Sequence, residues 1–439
     1  MTTQMQSTAP SPLAQGQLTH RFGGGAPGSG VCTSRNTLRF YLVIAFFTGA
    51  LQSVTIAFGG NILVSELLLA LVLAHAAIWL ALTRATPAPI PSPRSFAFVV
   101  ACQCVAFASY IASDLWWRST PFDLIRGWLR MMFLLLDMAA FSLLFGGEAR
   151  SFVVFQVGVC FSAFLALYGR PLFGDYWKFA FAYPVTILVL VAAPRYFGFW
   201  ASVLASLALG FVHILLASRA LGAECIVLGL GLATRAIPLQ LRKVLFIYCL
   251  LLTVMTLPWT ATRILGDTGG PANRSNVERS AMFQSAWEGF LASPVIGNGS
   301  WFSKSNVWDG FMIIRSTRAH ESGGGLGFDS RHFEGLAIHS QILTALAEGG
   351  FLGATFFFIY GALIFWGIWY LLTDANWNSL MPLRLCTLIS SFVALFMAPF
   401  SGIARVWISL TLILTLMLLE ERRADRYRKI ATETWGRSL

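Results

Sequence analysis

The chain is a succession of apolar runs, each about the length of one membrane crossing, and a single long polar interval interrupts the series. The runs lie near 38–58, 62–82, 95–113, 128–147, 151–169, 178–194, 197–217, 221–241, 245–262, 351–372, 385–398 and 403–419. About 20 helical residues cross a bilayer core, so the shorter runs need help from flanking residues. Backbone groups cannot stay unpaired in lipid, and a helix pairs them within its own segment. The pattern therefore predicts an all-α polytopic membrane protein with about 12 transmembrane helices. Charged residues make up only 12% of the chain, about half the share of a soluble domain.

Five regions follow from the pattern. Residues 1–37 form a polar arm with Gly, Pro and Ser clusters; without an apolar core it reads as a flexible cytoplasmic arm rather than a cleavable leader. Residues 38–262 hold nine spans, 263–337 one long loop containing short helices, 338–419 a loop-exit helix and three more spans, and 420–439 a basic tail. With both termini in the cytoplasm, 17 Arg and Lys residues fall on the inner side against 7 in the short outer segments and span ends. That asymmetry follows the positive-inside rule and puts the 263–337 loop outside a bacterial inner membrane, in the periplasm.

The net charge of +11 would suit a nucleic-acid ligand, but the excess flanks apolar segments with no recognition fold beside it, and membrane orientation accounts for it. No nucleic-acid partner is expected. The cysteines Cys102, Cys104, Cys160, Cys225, Cys249 and Cys386 fall inside expected spans and Cys32 in the arm, so none staples the loop or offers it a thiolate metal site. His320, His332 and His339 are not spaced as a specific ligand set, and the glycine runs at 23–25 and 323–327 do not follow strands as phosphate loops do. Neither a metal nor a cofactor is expected.

Inside the loop, Asn276–Phe290 reads as an amphipathic helix, with Met282, Ala286 and Phe290 at a spacing of four. Pro294 and Gly297-Asn298-Gly299 stop it. A second helix is expected from Ile338 to Glu348, with His339 in its first turn and Gly349-Gly350 breaking it before the next span.

Several polar residues stand where chemistry is plausible. Arg219 closes one span and opens the next, either as an interfacial anchor or as a cation facing a protein-lined cavity. Arg126 and Arg130 lie one turn apart beside Trp116, Trp117 and Trp128, which suits an anionic-lipid anchor or a second anion contact. Asp137, deeper in the same span, needs a partner or a proton. His75 and His213 lie within apolar spans and are expected to pack or hydrogen-bond. His339 stands at the boundary of loop and membrane, where a neutral imidazole can accept a proton.

Three blocks taken in order resemble the O-antigen ligase and polymerase superfamily of bacterial membrane glycosyltransferases. They are Ala217-Ser218-Arg219-Ala220-Leu221-Gly222, the stretch from Trp287 to Gly299, and the stretch from Ile338 to Gly353. Together they occupy about 217–354; outside them the likeness is hydropathy and helix count. The resemblance implies a lipid-linked-sugar transferase of the class C architecture, acting at the periplasmic face without metal or cofactor. Its donor would be a glycan on undecaprenyl diphosphate. Its acceptor would be another lipid-linked repeat for a polymerase or lipid A core for a ligase, with a flippase and a chain-length regulator as partners. By the family pattern His339 resembles the catalytic histidine that activates the acceptor. Arg219 resembles the diphosphate-binding arginine, Arg279 a second such arginine at the start of the loop helix, and Arg274 its substitute; Arg126 is an accessory contact. The block around His339 is closer to the polymerases. A transporter or flippase is the reading of another class, since many spans and buried arginines also suit alternating access.

Overall fold

A computed structural model describes residues 35–57, 61–84, 90–146, 149–169, 176–216, 218–248, 271–302, 338–374 and 376–436. The expected N-terminal arm, apart from its last residues, and the 303–337 part of the loop lie outside them.

The described chain is helical except for one hairpin. In order it forms α1 (Arg35–Ala50), β1 (Thr55–Ala57), β2 (Asn61–Leu63), α2 (Val64–Thr83), α3 (Pro93–Trp117), α4 (Pro121–Leu144) and α5 (Ala149–Gly169). A π-turn (Trp177–Phe181) leads into α6 (Ala182–Tyr196), followed by α7 (Gly198–Leu215) and α8 (Arg219–Ala233). The helix α9 is described over 239–248. Then come α10 (Pro271–Ala292), a 3₁₀ turn (Ser300–Phe302), α11 (Gln341–Thr373), α12 (Met381–Met397) and α13 (Gly402–Gly436). The hairpin pairs Thr55 with Leu63 and Ala57 with Asn61 in antiparallel register.

Local chemistry fixes many of these ends. Thr120 accepts from Asp123 N at 3.3 Å with Pro121 beginning α4, and Ser340 accepts from Leu343 N at 3.3 Å to cap α11. Arg84 and Arg118 end α2 and α3 in the left-handed region, with φ of 55° and 53°.

The architecture is that of a multi-pass membrane protein, but the count differs from expectation. Six helices, rather than about 12, are long and apolar enough to cross among the described residues: α2, α3, α4, α7, α11 and the Gly402–Tyr427 part of α13. Arg150–Ala163, α6 and α12 are apolar but shorter. The expected span at 221–241 is cut by the 3₁₀ turn Thr234–Ala236 and by Pro238, where α9 begins. Most of 245–262 lies outside the described residues.

The core is built around α11 and α13. The α11 helix packs against α3, α10, α12 and α13. The apolar window of α13 is 72% buried, against 22% for α2, so α13 is central and α2 peripheral. The α1–α5 and α7–α8 pairs approach through small residues: a Cβ on Gly49 would overlap the carbonyl of Phe155, and one on Gly158 that of Phe46. Close backbone contact of this kind is how helices associate where lipid offers no hydrophobic drive.

Helix alternation gives the bundle two polar ends. Trp117, Pro121, Arg219, Gln341 and Gly402 mark one, the Trp117 end. The other, the basic end, gathers Arg235, Arg242, Arg384, Arg422 and Arg423 around the C-terminus of α11.

Candidate functional site

At the Trp117 end the segment Pro294–Gly299 lies antiparallel against Ala347–Leu352. Asn298 N and Gly299 N donate to the carbonyls of Ala347 and Glu348, each at 3.0 Å, and Phe351 N donates to Pro294 O at 2.7 Å. Contact this close needs glycine: a Cβ on Gly297 would overlap the carbonyl of Glu348, one on Gly350 that of Val295, and both residues have positive φ, 72° and 63°. Two stretches that stand apart in the sequence thus share one backbone seam.

The seam bears out one expectation about α11 and corrects another. The break falls at Gly349-Gly350 as expected: Gly350, at φ 63° and ψ −161°, leaves the helical region, and a second helical stretch runs on from there to Thr373. Neighbours satisfy the carbonyls freed there, with Ser109 Oγ donating to Gly349 O at 2.7 Å and Ser113 Oγ to Glu348 O at 3.1 Å. The helix starts at Gln341, not Ile338, because Ser340 takes the cap; His339 therefore precedes the first turn, half-buried between buried Ile338 and Ser340.

Two buried carboxylates organise the chain that leaves the seam. Asp114 accepts from Ser300 N at 2.6 Å, Ser300 Oγ at 2.9 Å, Ser119 Oγ at 2.9 Å and Trp128 Nε1 at 3.0 Å. Glu348 pairs with Arg130, both side chains being buried, and its other oxygen accepts from Trp301 N at 3.1 Å. Trp301 is held at φ 63°, a conformation that costs a non-glycine residue of order 1–3 kcal/mol and concentrates at functional sites. Its ring lies under two guanidiniums, with the centroid 4.7 Å from Arg126 Cζ and 4.8 Å from Arg130 Cζ. The buried Nε1 of Trp301 and Nε of Arg130 make no hydrogen bond among the described residues.

A second buried pair joins Arg405 and Glu66. Arg405 Nε donates to Glu66 Oε1 at 2.8 Å, a second guanidinium nitrogen reaches the same oxygen, and Glu66 Oε2 accepts from Leu63 N at 3.0 Å. Asp137 is buried in the field of this pair, with one carboxylate oxygen lacking a hydrogen-bond partner among the described residues. Between α11, α12 and α13 lies a cavity of about 220 Å³ lined by Gln341, Tyr360, Ser391, Ser401 and Trp407 among others.

The expected site residues fall into three groups. Arg126 and Arg130 are brought to Trp301 and Glu348, and His339 stands at the start of the same α11. Arg219 begins α8 at the same end of the bundle; it is exposed, and no hydrogen bond or ion pair links it to the Glu348 cluster among the described residues. Arg274 and Arg279 lie on the backbone of α10, but their side chains fall outside the described residues. His75 and His213 are hydrogen-bonded among helices, His213 to Trp177 Nε1 at 3.2 Å and Thr186 Oγ1 at 2.8 Å, and His75 to Tyr41 at 3.2 Å.

Sequence reasoning missed the roles of Asp114, Trp301, Glu66 and Arg405, and the bond between Glu348 and Arg130. The available signal was an acid or an arginine within or beside an apolar run, which at membrane depth calls for a partner. A scan against protein-family models and a search of curated proteins give no match to this chain.

Proposed function

We propose that the protein is a membrane glycosyltransferase that moves a glycan from undecaprenyl diphosphate to a sugar hydroxyl of another lipid-linked repeat, a polysaccharide polymerase working at the periplasmic face. One observation supports this reading most. Two of the three blocks on which the family resemblance rests, Trp287–Gly299 and Ile338–Gly353, meet in the backbone seam beside the Arg130–Glu348 pair.

In this reading His339 takes the proton of the attacking hydroxyl, and the carbon–oxygen bond to diphosphate breaks on the opposite face, inverting the anomeric carbon. Arg219 and Arg279 bind the departing diphosphate, whose growing charge suits guanidinium forks. Diphosphate leaves as a stable anion, so no separate protein acid is needed.

The test is reconstituted transfer from a defined undecaprenyl-diphosphate repeat, with a second lipid-linked repeat or lipid A core as acceptor. Extension of the lipid-linked repeat without lipid A core is the expected result. Product formed only on lipid A core makes the protein a ligase, and no transfer to either acceptor removes the enzyme reading. His339→Ala should slow transfer by about 10²–10⁴-fold while leaving donor binding intact. Wild-type transfer should fall on acidification, since an imidazolium cannot accept a proton. If His339→Gln keeps its turnover and the same acidic limb, His339 is not the base.

A further inference from the structure

Arg126 and Arg130 are one turn apart on α4 and contact the same indole, yet their charges are treated differently. Arg130 is buried and neutralised by Glu348. Arg126 is half-buried, and its described contacts are two rings, Phe122 at 5.1 Å and Trp301 at 4.7 Å; it has neither a hydrogen bond nor an ion pair among the described residues. Among the described residues its N–H donors are therefore uncommitted.

The position of Arg126 on the helix says what kind of group can use them. One face of α4, through Arg130, Met131, Leu134, Asp137 and Phe141, is buried. The neighbouring stripe of Phe122, Ile125, Leu129, Met132 and Leu136 is exposed at helical spacing and has the character of a lipid-facing surface. Arg126 borders that stripe at its polar end, close in sequence to the exposed rings of Trp116 and Trp117, residue types that favour the headgroup level. From Arg126 to Leu136 the helix rises roughly 15 Å, about half of a hydrocarbon core of roughly 30 Å. The stripe is thus one leaflet deep below Arg126, a cation with no counter-ion among the described residues.

We propose that Arg126, Phe122, Trp301 and this stripe bind one anionic glycerophospholipid, its phosphate on the Arg126 guanidinium and an acyl chain along Leu129, Met132 and Leu136. A zwitterionic headgroup brings its own cation and matches the unpaired arginine less well. The one-leaflet length fits an acyl chain rather than the much longer polyprenyl chain of the donor proposed above. The inference rests on the membrane architecture and not on the transferase reading, so either can fail alone.

Native mass spectrometry of the full-length protein in detergent tests it, with phosphatidylglycerol, phosphatidylcholine or undecaprenyl diphosphate added in separate arms. Phosphatidylglycerol should bind the wild type about tenfold more tightly than R126Q, the loss of about one charge-assisted contact, with R126K in between and phosphatidylcholine indifferent to the change. Leu136→Ser should weaken long-chain phosphatidylglycerol and leave a short-chain form unaffected, which separates chain contact from misfolding. Equal phosphatidylglycerol binding by wild type and R126Q overturns the proposal. So does an Arg126 dependence seen only with undecaprenyl diphosphate, which would place Arg126 in the donor site.

Discussion

The two ends of the bundle use arginine in different ways. At the basic end the five arginines Arg235, Arg242, Arg384, Arg422 and Arg423 are committed to the fold. Arg235 donates to Leu371 O, while Arg242 reaches Leu372 O at 2.9 Å, Thr373 O at 3.2 Å, Arg235 O at 2.9 Å and Ile237 O at 3.0 Å. Arg384 meets Glu421 at 3.0 Å, Arg422 meets Asp374 at 3.5 Å, and Arg423 donates to Ser92 Oγ at 3.0 Å. Arg235 and Arg242 satisfy orphan carbonyls at the C-terminal end of α11, where the helix dipole also favours cations. At the Trp117 end Arg130 and Arg405 each neutralise a buried acid, Arg126 lies on aromatic rings with no counter-ion among the described residues, and Arg219 begins α8 in the open. The comparison separates arginine that closes a structure from arginine left available at its edge.

The sharpest way to break the comparison is at Arg130. Arg130→Ala leaves Glu348 buried without a counter-charge, and thermal or denaturant unfolding in detergent should show a loss of about 3–5 kcal/mol. The double variant Arg130→Met with Glu348→Met removes both charges and should lose far less; an equal loss would mean that packing, not charge, is what matters there. At the basic end Arg242→Ala deprives several carbonyls of one donor group, with an expected cost of about 1–3 kcal/mol. Because this change is far from the Trp117 end, transfer by the folded fraction should be unchanged. The smallest expected effect is at Trp301. Both Trp301→Gly and Trp301→Ala delete the indole, but glycine accepts the left-handed backbone, so the glycine variant should be the more stable by about 1 kcal/mol. Equal stabilities would mean that the backbone at Trp301 relaxes once the ring is gone.

Much of the helical layout was legible in the sequence because apolar runs must become helices in lipid. The loop helix was expected over Asn276–Phe290 and extends over Pro271–Ala292. What could not be read was set by tertiary contact. Gly349-Gly350 was legible as a break, and Gly350 leaves the helical region there, but the hydroxyls on α3 and the N–H groups of the 298–299 turn that satisfy the carbonyls freed at the break could not be read. The hairpin at 55–63 is too short for periodicity to reveal. Charge pairing was hidden for the same reason: Glu66 meets Arg405 and Arg130 meets Glu348 across hundreds of residues, and nothing local to either partner names the other. The ends of spans were the least readable part, since a single proline or capping residue decides whether an apolar interval reaches full crossing length.

The clamp on Ser300 and Trp301 bears on how such a protein can diversify. Residues 303–337 depart from a point fixed by Asp114 and Glu348 and return to the start of the same helix that carries Glu348. Loop-closure entropy rises only slowly with length, so with both anchors held, a change in the length of chain between them adds little to the cost of closing it.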